Sequence, residues 1–394
     1  MKKLILLLAA VATAMGANAQ HYYPDATNPD LLRHTERDNR QRKEFILPQV
    51  NGYNVYKADL HTHSIFSDGS VTPEFRVQEA WHSGLDVMAV TEHVEYRPYE
   101  GKMINFLKGY VPDGTKAFNN SITGKAADER GIQTDLNYAI KLAEAAAAGY
   151  GITIIPGTEI TRAPETIGHY NALFTKDNNT IYDADPYTSI KKAKEQGALV
   201  MQNHPGWRRT SLDMLEFEKK VYAEGLIDGI EIMNGSEFYP RAITRAQKDN
   251  FFMASNTDVH GSIAEEYTLL GMQRNMTLIF AKEQTLEALR EALEAKRTLA
   301  YSCGTLAGEE QLLKDFFMAS MKVRTIQKQA NGNRKVAITN NSSVPYIIRM
   351  GNGNPTHFYP FSTITATIAK DGVLKITVES MWCGEDKHPV MEFK

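Results

Sequence analysis

Two histidines and an aspartate stand close together after a short apolar run, in the segment Asp59–Gly69. His61 and His63 are two residues apart, so on a strand their side chains point to the same side. Asp68 follows five residues later and can return from the next turn. Imidazole nitrogens and a carboxylate at this spacing are typical ligands of a divalent metal ion. The rest of the chain must then supply the missing ligands.

Further ionisable residues stand at the ends of other short apolar runs. They are Glu92 and His93 after 86–90, Glu159 after 152–155, His169 before 170–174, His204 after 198–201, and Asp258 and His260 after the run that begins at Phe252. Six of the eleven histidines belong to this set, together with carboxylates, and neither cysteine does. Nitrogen and oxygen ligands without thiolate favour zinc, manganese or iron, and they disfavour an iron–sulfur cluster.

Helical patterns separate most of these runs, over 72–84, 135–148, 189–196 and 285–296. The first of them begins with a capping hydroxyl at Thr72 and a first-turn proline at Pro73. Short apolar strands that alternate with helices predict a parallel sheet covered by helices, and this many units favour a closed barrel. In such barrels the working residues lie at the carboxyl ends of the strands. Every candidate ligand has that position except His169, which opens a strand.

The order H-x-H-x4-D, E-H, G-x-E-x-T, H-Y-N-A-L, N-H-P and D-x-H resembles that of the PHP superfamily, named for its polymerase and histidinol phosphatase members, over residues 53–305. The resemblance implies a distorted (β/α)7 barrel that binds two or three divalent ions and hydrolyses phosphoesters. It implies three ligand sets, namely His61, His63, Glu159 and Asp258, then Glu159 as a bridge with His169 and His204, then Asp68, His93 and His260. Catalysis is expected to depend most directly on Glu159, Asp258 and His204.

The chemistry that these residues suggest is hydrolysis by a metal-bound hydroxide. A bridging carboxylate lets two cations lie close together, and such cations lower the pKa of a bound water and stabilise charge on phosphate oxygens. No serine or cysteine nucleophile is required. The family usually has an aspartate before the histidine of its second motif, whereas this chain has Glu92. Since the histidine is the expected ligand, the change affects only a supporting role.

Three arginines are candidates for binding the substrate phosphate, because a guanidinium can donate two hydrogen bonds to it. Arg97, Arg162 and Arg208 follow His93, Glu159 and His204 by three or four residues, so we expect them on loops at the ligand-bearing end. Each could equally be an ordinary solvated arginine. The long segment 95–130 is rich in aromatics that either stack on a leaving group or pack the loop down.

The amino terminus predicts export. Lys2 and Lys3 precede an apolar run, Leu4–Met15, and the small residues Ala17-Asn18-Ala19 form a cleavage site. The run is too short for a membrane span. A cysteine at the cleavage point would indicate a lipid anchor, and the sequence has none there. We therefore expect a secreted or periplasmic protein. The formal charge of −3 becomes −5 when the two lysines are removed, which gives no support for nucleic-acid tracking.

The predicted organisation is a signal peptide (1–19), an amino-terminal arm (20–52), the barrel (53–305) and a carboxyl-terminal part (306–394). The last part begins with a helix over 309–321 and continues with strands over 335–339, 346–349, 363–368 and 373–378, separated by turn-forming residues. These strands predict a small antiparallel β domain of the sandwich kind. Cys303 and Cys383 either form one disulfide or remain two free thiols.

These observations favour an exported metal-dependent phosphoesterase that acts on small phosphorylated substrates, either phosphodiesters or phosphomonoesters. Two alternatives stay open. A metal-dependent amidohydrolase uses similar ligands, but it typically needs a bridging lysine, and none follows a strand here. A secreted binding protein would keep the metals for structure alone, although the complete ligand set argues against it. The sequence does not indicate an oligomeric state.

Overall fold

The computed structural model describes residues 23–33, 41–98 and 135–394. They divide into a small unit that ends at Arg42 and a large compact unit, Lys43–Lys394. In the small unit, Tyr23–Pro24 (β1) pairs antiparallel with Leu32–Arg33 (β2). The signal peptide and most of the loop 95–130 lie outside the described residues, and they stay predictions. Within the described ranges, no helix is long and apolar enough to cross a membrane.

A curled sheet forms the frame of the large unit. Its strands in chain order are β3 (Asn54–Asp59), β4 (Val87–Val90), β5 (Thr153–Thr161), β6 (His169–Leu173), β7 (Leu199–Gln202), β8 (Gly229–Asn234), β9 (Glu237–Phe238), β10 (Phe252–Asn256), β11 (Met276–Ala281), β12 (Thr298–Ser302) and β13 (Thr305–Gly308). The spatial order is β10-β8-β7-β6-β5-β4-β3-β11-β12-β13, and β9 pairs with β8. Neighbours are parallel from β10 to β7 and from β5 to β3, whereas β6 and β11 run antiparallel to both of their neighbours.

The curl brings β10 back towards β11 and β12 without a backbone ladder between them. Hydroxyl groups make the connection: the Met253 amide donates to Thr298 Oγ1 at 3.1 Å, and the Ser255 amide donates to Thr277 Oγ1 at 2.9 Å. The Thr277 hydroxyl in turn donates to the Ser255 carbonyl at 3.0 Å. The sheet is therefore a half-barrel whose open side is closed by side chains.

Six helices of the described residues pack against this sheet. They are α1 (Pro73–His82), α2 (Tyr138–Ala147), α3 (Pro186–Glu195), α4 (Glu216–Ala223), α5 (Pro240–Asp249) and α6 (Leu286–Glu294). The predicted start of α1 is present, since Thr72 Oγ1 accepts a hydrogen bond from the Phe75 amide at 3.3 Å. Inside the curl, Ile155, Leu199 and Phe252 pack with Leu289 of α6 in one buried cluster. This apolar cluster fills the half-barrel next to the amino-terminal parts of its parallel strands, whereas the candidate ligands lie at their carboxyl ends.

The carboxyl-terminal part continues from the barrel through α7 (Glu310–Ser320). Its strands are β14 (Met321–Lys328), β15 (Arg334–Asn340), β16 (Tyr346–Met350), β17 (Thr356–Phe358), β18 (Thr363–Ile368), β19 (Leu374–Val378), β20 (Met381–Trp382) and β21 (Val390–Phe393). They form two antiparallel sheets, β14-β15-β18 and β17-β16-β19-β21, while β20 pairs with β13 and so extends the barrel sheet. The predicted fold class, a distorted α/β barrel followed by a small antiparallel β part, is confirmed.

The two cysteines are free, with Cys303 exposed and Cys383 buried. Of the two alternatives left open by the sequence, the structure has the free thiols. Cys303 lies in the turn between β12 and β13 and has a positive φ of 47°.

Gly157 of β5 offers a test of how tightly the strands around the ligands are packed. A Cβ there would lie 2.8 Å from the Ala172 carbonyl oxygen and 3.2 Å from the Val90 carbonyl oxygen, so both neighbouring strands would have to shift. We expect Gly157→Ala to lower the free energy of unfolding by about 1–3 kcal/mol in urea titrations. Gly149→Ala is the matched control, because its Cβ would be 3.7 Å from its nearest contact. Equal unfolding midpoints for the two variants would contradict the prediction.

Candidate metal centre

Glu159 of β5 lies at the middle of the site, fully buried. Five imidazoles approach its carboxylate within 3.8 Å, and the contacting nitrogens are His93 Nδ1 (2.5 Å), His169 Nδ1 (3.2 Å), His61 Nε2 (3.4 Å), His63 Nε2 (3.6 Å) and His204 Nε2 (3.8 Å). Oε1 also accepts a hydrogen bond from Asn203 Nδ2 at 2.7 Å. Both carboxylate oxygens thus face groups that bind metals, as a bridging ligand requires.

Asp258 forms a second point of convergence. Its Oδ1 lies 3.1 Å from both His61 Nε2 and His63 Nε2, and its Oδ2 lies 3.7 Å from His204 Nε2. Two backbone hydrogen bonds bring this loop to the first motif: the Asp258 amide donates to the His61 carbonyl (3.0 Å), and the His63 amide donates to the Val259 carbonyl (3.1 Å). The first and last motifs of the sequence are therefore joined at the site.

A third group forms around Asp68. Its Oδ1 lies 3.3 Å from His93 Nε2 and 3.2 Å from His260 Nε2, and it is buried with no hydrogen-bond partner. The ring of His63 stacks against the ring of His93 and against that of His260, with a centroid distance of 4.3 Å to each. An orphaned buried oxygen facing two imidazole nitrogens is the arrangement that a bound cation satisfies.

The structure brings the nine predicted ligands together, and the atoms of eight of them converge in three sets. The sets are His61, His63 and Asp258; His61, Glu159 and His204; and His63, Asp68, His93 and His260. The grouping differs from the one that the resemblance implies, since His63 also joins the Asp68 set and His61 takes the place of His169 beside Glu159 and His204. His169 approaches the bridging carboxylate from the pocket side, next to His204. The number of ions stays a prediction.

His169 has the correct location because β6 runs antiparallel to β5 and β7. His169 pairs with Thr161, the last residue of β5, so the start of β6 lies where its neighbours end. His169 opens a strand, whereas the other candidate ligands lie near the end of one or beyond it, and it still reaches the site because β6 is inverted relative to its neighbours.

Hydrogen bonds fix which ring nitrogen of several histidines faces the cluster. His61 Nδ1 lies 2.9 Å from Glu231 Oε1, and His260 Nδ1 lies 2.8 Å from the Asp258 carbonyl oxygen. Both partners are acceptors, so each Nδ1 carries a proton and Nε2 is the ring nitrogen that faces the cluster. His63 Nδ1 contacts Ser67 Oγ at 3.3 Å, which leaves its Nε2 for the same purpose.

The pKa values reflect the mutual stabilisation of carboxylates and imidazoles. Burial would raise the pKa of Glu159, but the imidazoles around it, foremost His93, hold it well below its usual range. Burial opposes the charged form of His93 as well, yet Glu159 and Asp68 raise its pKa to about 10. Burial and then the neighbouring His260 and His93 lower the pKa of His63 to about 3. The carboxylates of Glu159 and Asp68 are therefore stable in the charged form only when positive charge lies beside them, and protons on the imidazoles or divalent cations can provide it.

Several residues that support the ligands were missed by the sequence analysis. Glu231 lies in the middle of β8, a strand that is not among the predicted apolar runs, and a single carboxylate between Ile230 and Ile232 does not by itself indicate a function. Trp207, three residues after His204, packs against the rings of His204 and His169 at centroid distances of 5.2 and 5.3 Å. An aromatic residue near a metal ligand gave no distinct signal in the sequence.

Glu92, the residue that departs from the family pattern, binds the loop between His63 and Asp68. Its carboxylate accepts a hydrogen bond from the Ser64 amide at 3.1 Å and also from the hydroxyls of Ser64 and Ser67. The longer side chain thus keeps a supporting role behind the ligands.

The three candidate arginines have different environments. Arg97 is buried and donates to the His93 carbonyl at 2.6 Å. Arg162 pairs with the buried Glu95 and donates to the Asp183 carbonyl at 2.7 Å. Arg208 alone of the three lines the pocket over the metal cluster, with its guanidinium 4.4 Å from the centroid of the Trp207 ring. Contact with substrate stays a prediction for each of them, and the geometry favours Arg208.

The pocket has a volume of about 490 Å³ and opens directly onto the cluster. Its walls are Asp68, His93, Tyr96, Thr161, Pro164, His169, His204, Trp207, Arg208, Asp258 and His260. Among these described residues, Arg208 is the only lysine or arginine. The described walls therefore combine candidate metal ligands, one cationic side chain and two aromatic rings, which suits an anionic substrate of modest size.

Comparisons with known proteins agree with this geometry. The sequence model of the PHP domain matches residues 59–185. A two-domain protein from Bacteroides vulgatus that contains a predicted PHP-like metal-dependent phosphoesterase is 31% identical, with 90% of this chain and 98% of that chain covered and a TM-score of 0.76. The chain therefore belongs to the family of PHP-like metal-dependent phosphoesterases.

Other solved structures are less similar. An amidohydrolase from Chromobacterium violaceum is 15% identical over 52% of this chain and 87% of its own, with a TM-score of 0.33. A lesion-specific endonuclease from Pyrococcus furiosus is 15% identical over 65% of this chain and 59% of its own, with a TM-score of 0.39. A search of curated proteins found no match.

The raised pKa values predict how metal-free protein responds to alkali. A histidine whose pKa is raised above 6.5 by folding contributes stability that is complete below pH 6.5 and is lost as the pH rises through the raised value. Burial opposes both shifts, but nearby carboxylates raise the pKa of His260 to about 8 and that of His93 to about 10. We expect metal-stripped protein to unfold at a lower temperature at pH 10 than at pH 7.

The zinc-loaded protein serves as the control, because a bound cation replaces the protons that alkali removes. Its unfolding temperature should fall less between the same two pH values. Calorimetry of both forms measures the difference, and equal falls with and without zinc would show that the cluster does not hold these protons.

Proposed function

We propose that this protein is an exported phosphoesterase that uses divalent metal ions to hydrolyse small phosphorylated substrates. The observation that carries the proposal is the convergence of nine candidate ligands with nitrogen or oxygen donor atoms next to a pocket whose described walls include one guanidinium. Neither cysteine lies among them, so zinc, manganese and iron all suit the site. Export is proposed from the amino-terminal sequence alone.

Each part of the pocket has a role in this proposal. Divalent cations, when bound, would lower the pKa of water and neutralise charge on the phosphate. Glu159 and Asp258 supply the negative charge that would keep such cations close together, and His204 Nε2 lies near both, 3.8 Å and 3.7 Å from their carboxylates. Arg208, on the wall of the pocket, would donate hydrogen bonds to a phosphate oxygen. Its stacking on Trp207 reduces the entropy that a free arginine side chain would lose on binding.

We further propose that phosphodiesters are preferred over phosphomonoesters. A diester carries one negative charge on its phosphate and a second organic group, whereas a monoester carries up to two charges. The described pocket walls offer one guanidinium for the phosphate and apolar surface from Trp207, Tyr96 and Pro164 for an organic group. One cationic side chain beside an aromatic surface suits the diester better.

A panel of p-nitrophenyl phosphate mono- and diesters, with amides and lactones beside them, tests the proposed reaction. We expect turnover of phosphate esters by protein loaded with zinc or manganese, the diester being the better substrate, and loss of turnover after chelation. Turnover of amides or lactones alone would favour the amidohydrolase. Metal binding without any turnover would favour the binding protein, and it would contradict the proposed function.

Glu159→Gln tests the bridging role. The substitution keeps the volume but removes the charge that faces five imidazoles, so we expect kcat/KM to fall by at least about 100-fold, since even the loss of an outer partner of a ligand typically costs 10–100-fold. His82→Gln is the control, because His82 ends α1 outside the cluster. Metal content by mass spectrometry should fall in the first variant alone. Near-normal turnover in Glu159→Gln would show that the assignment is wrong.

Arg208→Ala tests recognition of the phosphate. Loss of a charge-assisted hydrogen bond should raise KM for a phosphodiester roughly tenfold to a hundredfold while metal content stays unchanged. Arg208→Lys should restore only part of the affinity, because a lysine keeps the charge but not the planar pair of donors. Arg241→Ala, which removes an exposed arginine paired with Asp213, is the matched control. An unchanged KM in Arg208→Ala would remove this residue from the substrate site.

A further inference from the structure

Glu231 is a fully buried carboxylate in the middle of β8 that accepts four hydrogen bonds. Oε1 accepts from His61 Nδ1 and from Asn256 Nδ2, both at 2.9 Å. Oε2 accepts from the His204 amide at 2.6 Å and from Asn234 Nδ2 at 2.8 Å. All of its partners are donors, and two of them belong to candidate metal ligands. The carboxylate therefore connects three strands directly behind the cluster.

We propose that Glu231 is a positioning residue that holds His61 in the tautomer that binds metal. With a proton on Nδ1 bound to Glu231, His61 Nε2 faces Asp258 Oδ1 (3.1 Å) and Glu159 Oε1 (3.4 Å) and is left free to share a cation with these carboxylates. A proton on Nε2 instead would occupy the position of the cation. The proposal rests on the metal-binding part of the proposed function and deepens it.

The same carboxylate holds the backbone of His204. This residue has a positive φ of 22°, a conformation that side-chain-bearing residues rarely adopt. Its amide lies in a buried environment and donates to Glu231 Oε2. Without that acceptor, a buried amide would lack a partner at a strained position, and the loop would relax towards another conformation. One side chain thus fixes the ring of one candidate ligand and the backbone of another.

Neighbouring hydrogen bonds make a glutamine a poor substitute. Asn256 cannot reverse its amide without a clash of donors, because its Oδ1 already accepts from the Leu60 backbone amide at 2.9 Å. The His204 amide is backbone and can only donate. The NH₂ group of a glutamine at position 231 would therefore meet fixed donors on whichever side it turned.

His61 is the partner that can respond to this conflict. If the glutamine NH₂ faces His61, the imidazole can accept at Nδ1 by moving its proton to Nε2. That move satisfies the hydrogen bond but places a proton where the cation would bind. Glu231→Gln is thus expected to favour the tautomer of His61 that excludes the metal, although glutamate and glutamine have nearly the same volume.

Zinc titration of the metal-stripped full-length chain tests this inference. We expect Glu231→Gln to weaken binding of the ion that contacts His61 by 10–100-fold, an effect typical of outer partners, with the ion near Asp68 retained. The matched control is Asp228→Asn, which alters a carboxylate just before the same strand, where Oδ2 accepts from the Val200 amide (2.7 Å) and Lys194 Nζ (2.6 Å). Its zinc affinity should equal that of the wild type even if its stability falls.

A second measurement does not depend on whether the variant folds. In zinc-loaded wild-type protein labelled with ¹⁵N-histidine, NMR should show a proton on Nδ1 of His61, with the signal assigned by its loss in His61→Gln. Detection of an unprotonated Nδ1 on His61 would overturn the inference, as would wild-type zinc affinity and stoichiometry in Glu231→Gln. Zinc binding without turnover would overturn the proposed function alone, whereas a wild-type protein that binds no zinc would overturn both.

Discussion

The arrangement of the whole site depends on the buried carboxylate of Glu159, which is surrounded by five imidazoles. A carboxylate without solvent is stable only if positive charge or hydrogen-bond donors meet it from every side. Asn203 supplies one neutral hydrogen-bond donor, and the negative charge of Glu159 is neutralised by protons on the imidazoles or by cations. Because those imidazoles come from four separate segments of the chain, neutralising this one charge also holds the ligand-bearing ends of the strands together. A cation bound here would therefore stabilise this end of the half-barrel.

One inverted strand makes that convergence possible. In a sheet of parallel strands alone, a residue at the start of a strand lies at the opposite end from the ligands of its neighbours. Because β6 is antiparallel to both neighbours, His169 opposes Thr161 and Asn171 opposes Glu159. Asn171 Oδ1 then accepts from Asn203 Nδ2, which also donates to Glu159. The inversion thus adds a ligand and part of its hydrogen-bonded support.

The sequence predicted those parts of the structure that follow from local pattern. Strand alternation defines Thr363–Ile368 in full, and the ligands stand at the ends of apolar runs, where the chemistry of an α/β barrel lies. Glu231 escaped prediction because a charge inside an apolar strand shows no function until its four partners are known. The pairing of Arg162 with Glu95 joins residues 67 apart, so local pattern could not distinguish it from a substrate-binding arginine. Strand β14 was missed because it is largely exposed and lacks a buried alternating face.

The ligand loops are held by two separate sets of buried ionic groups. Carboxylates orient side chains and also accept hydrogen bonds from backbone amides, as Glu231 does for His61 and His204. Arg76 holds backbone from the other side, by donating to the carbonyl oxygens of His63 (2.8 Å) and Gly261 (2.8 Å). These contacts surround the loops in which Asp258 and His204 have positive φ angles of 52° and 22°. Strain of this kind persists only where surrounding contacts over-determine the backbone, and the site is consequently ordered before any substrate arrives.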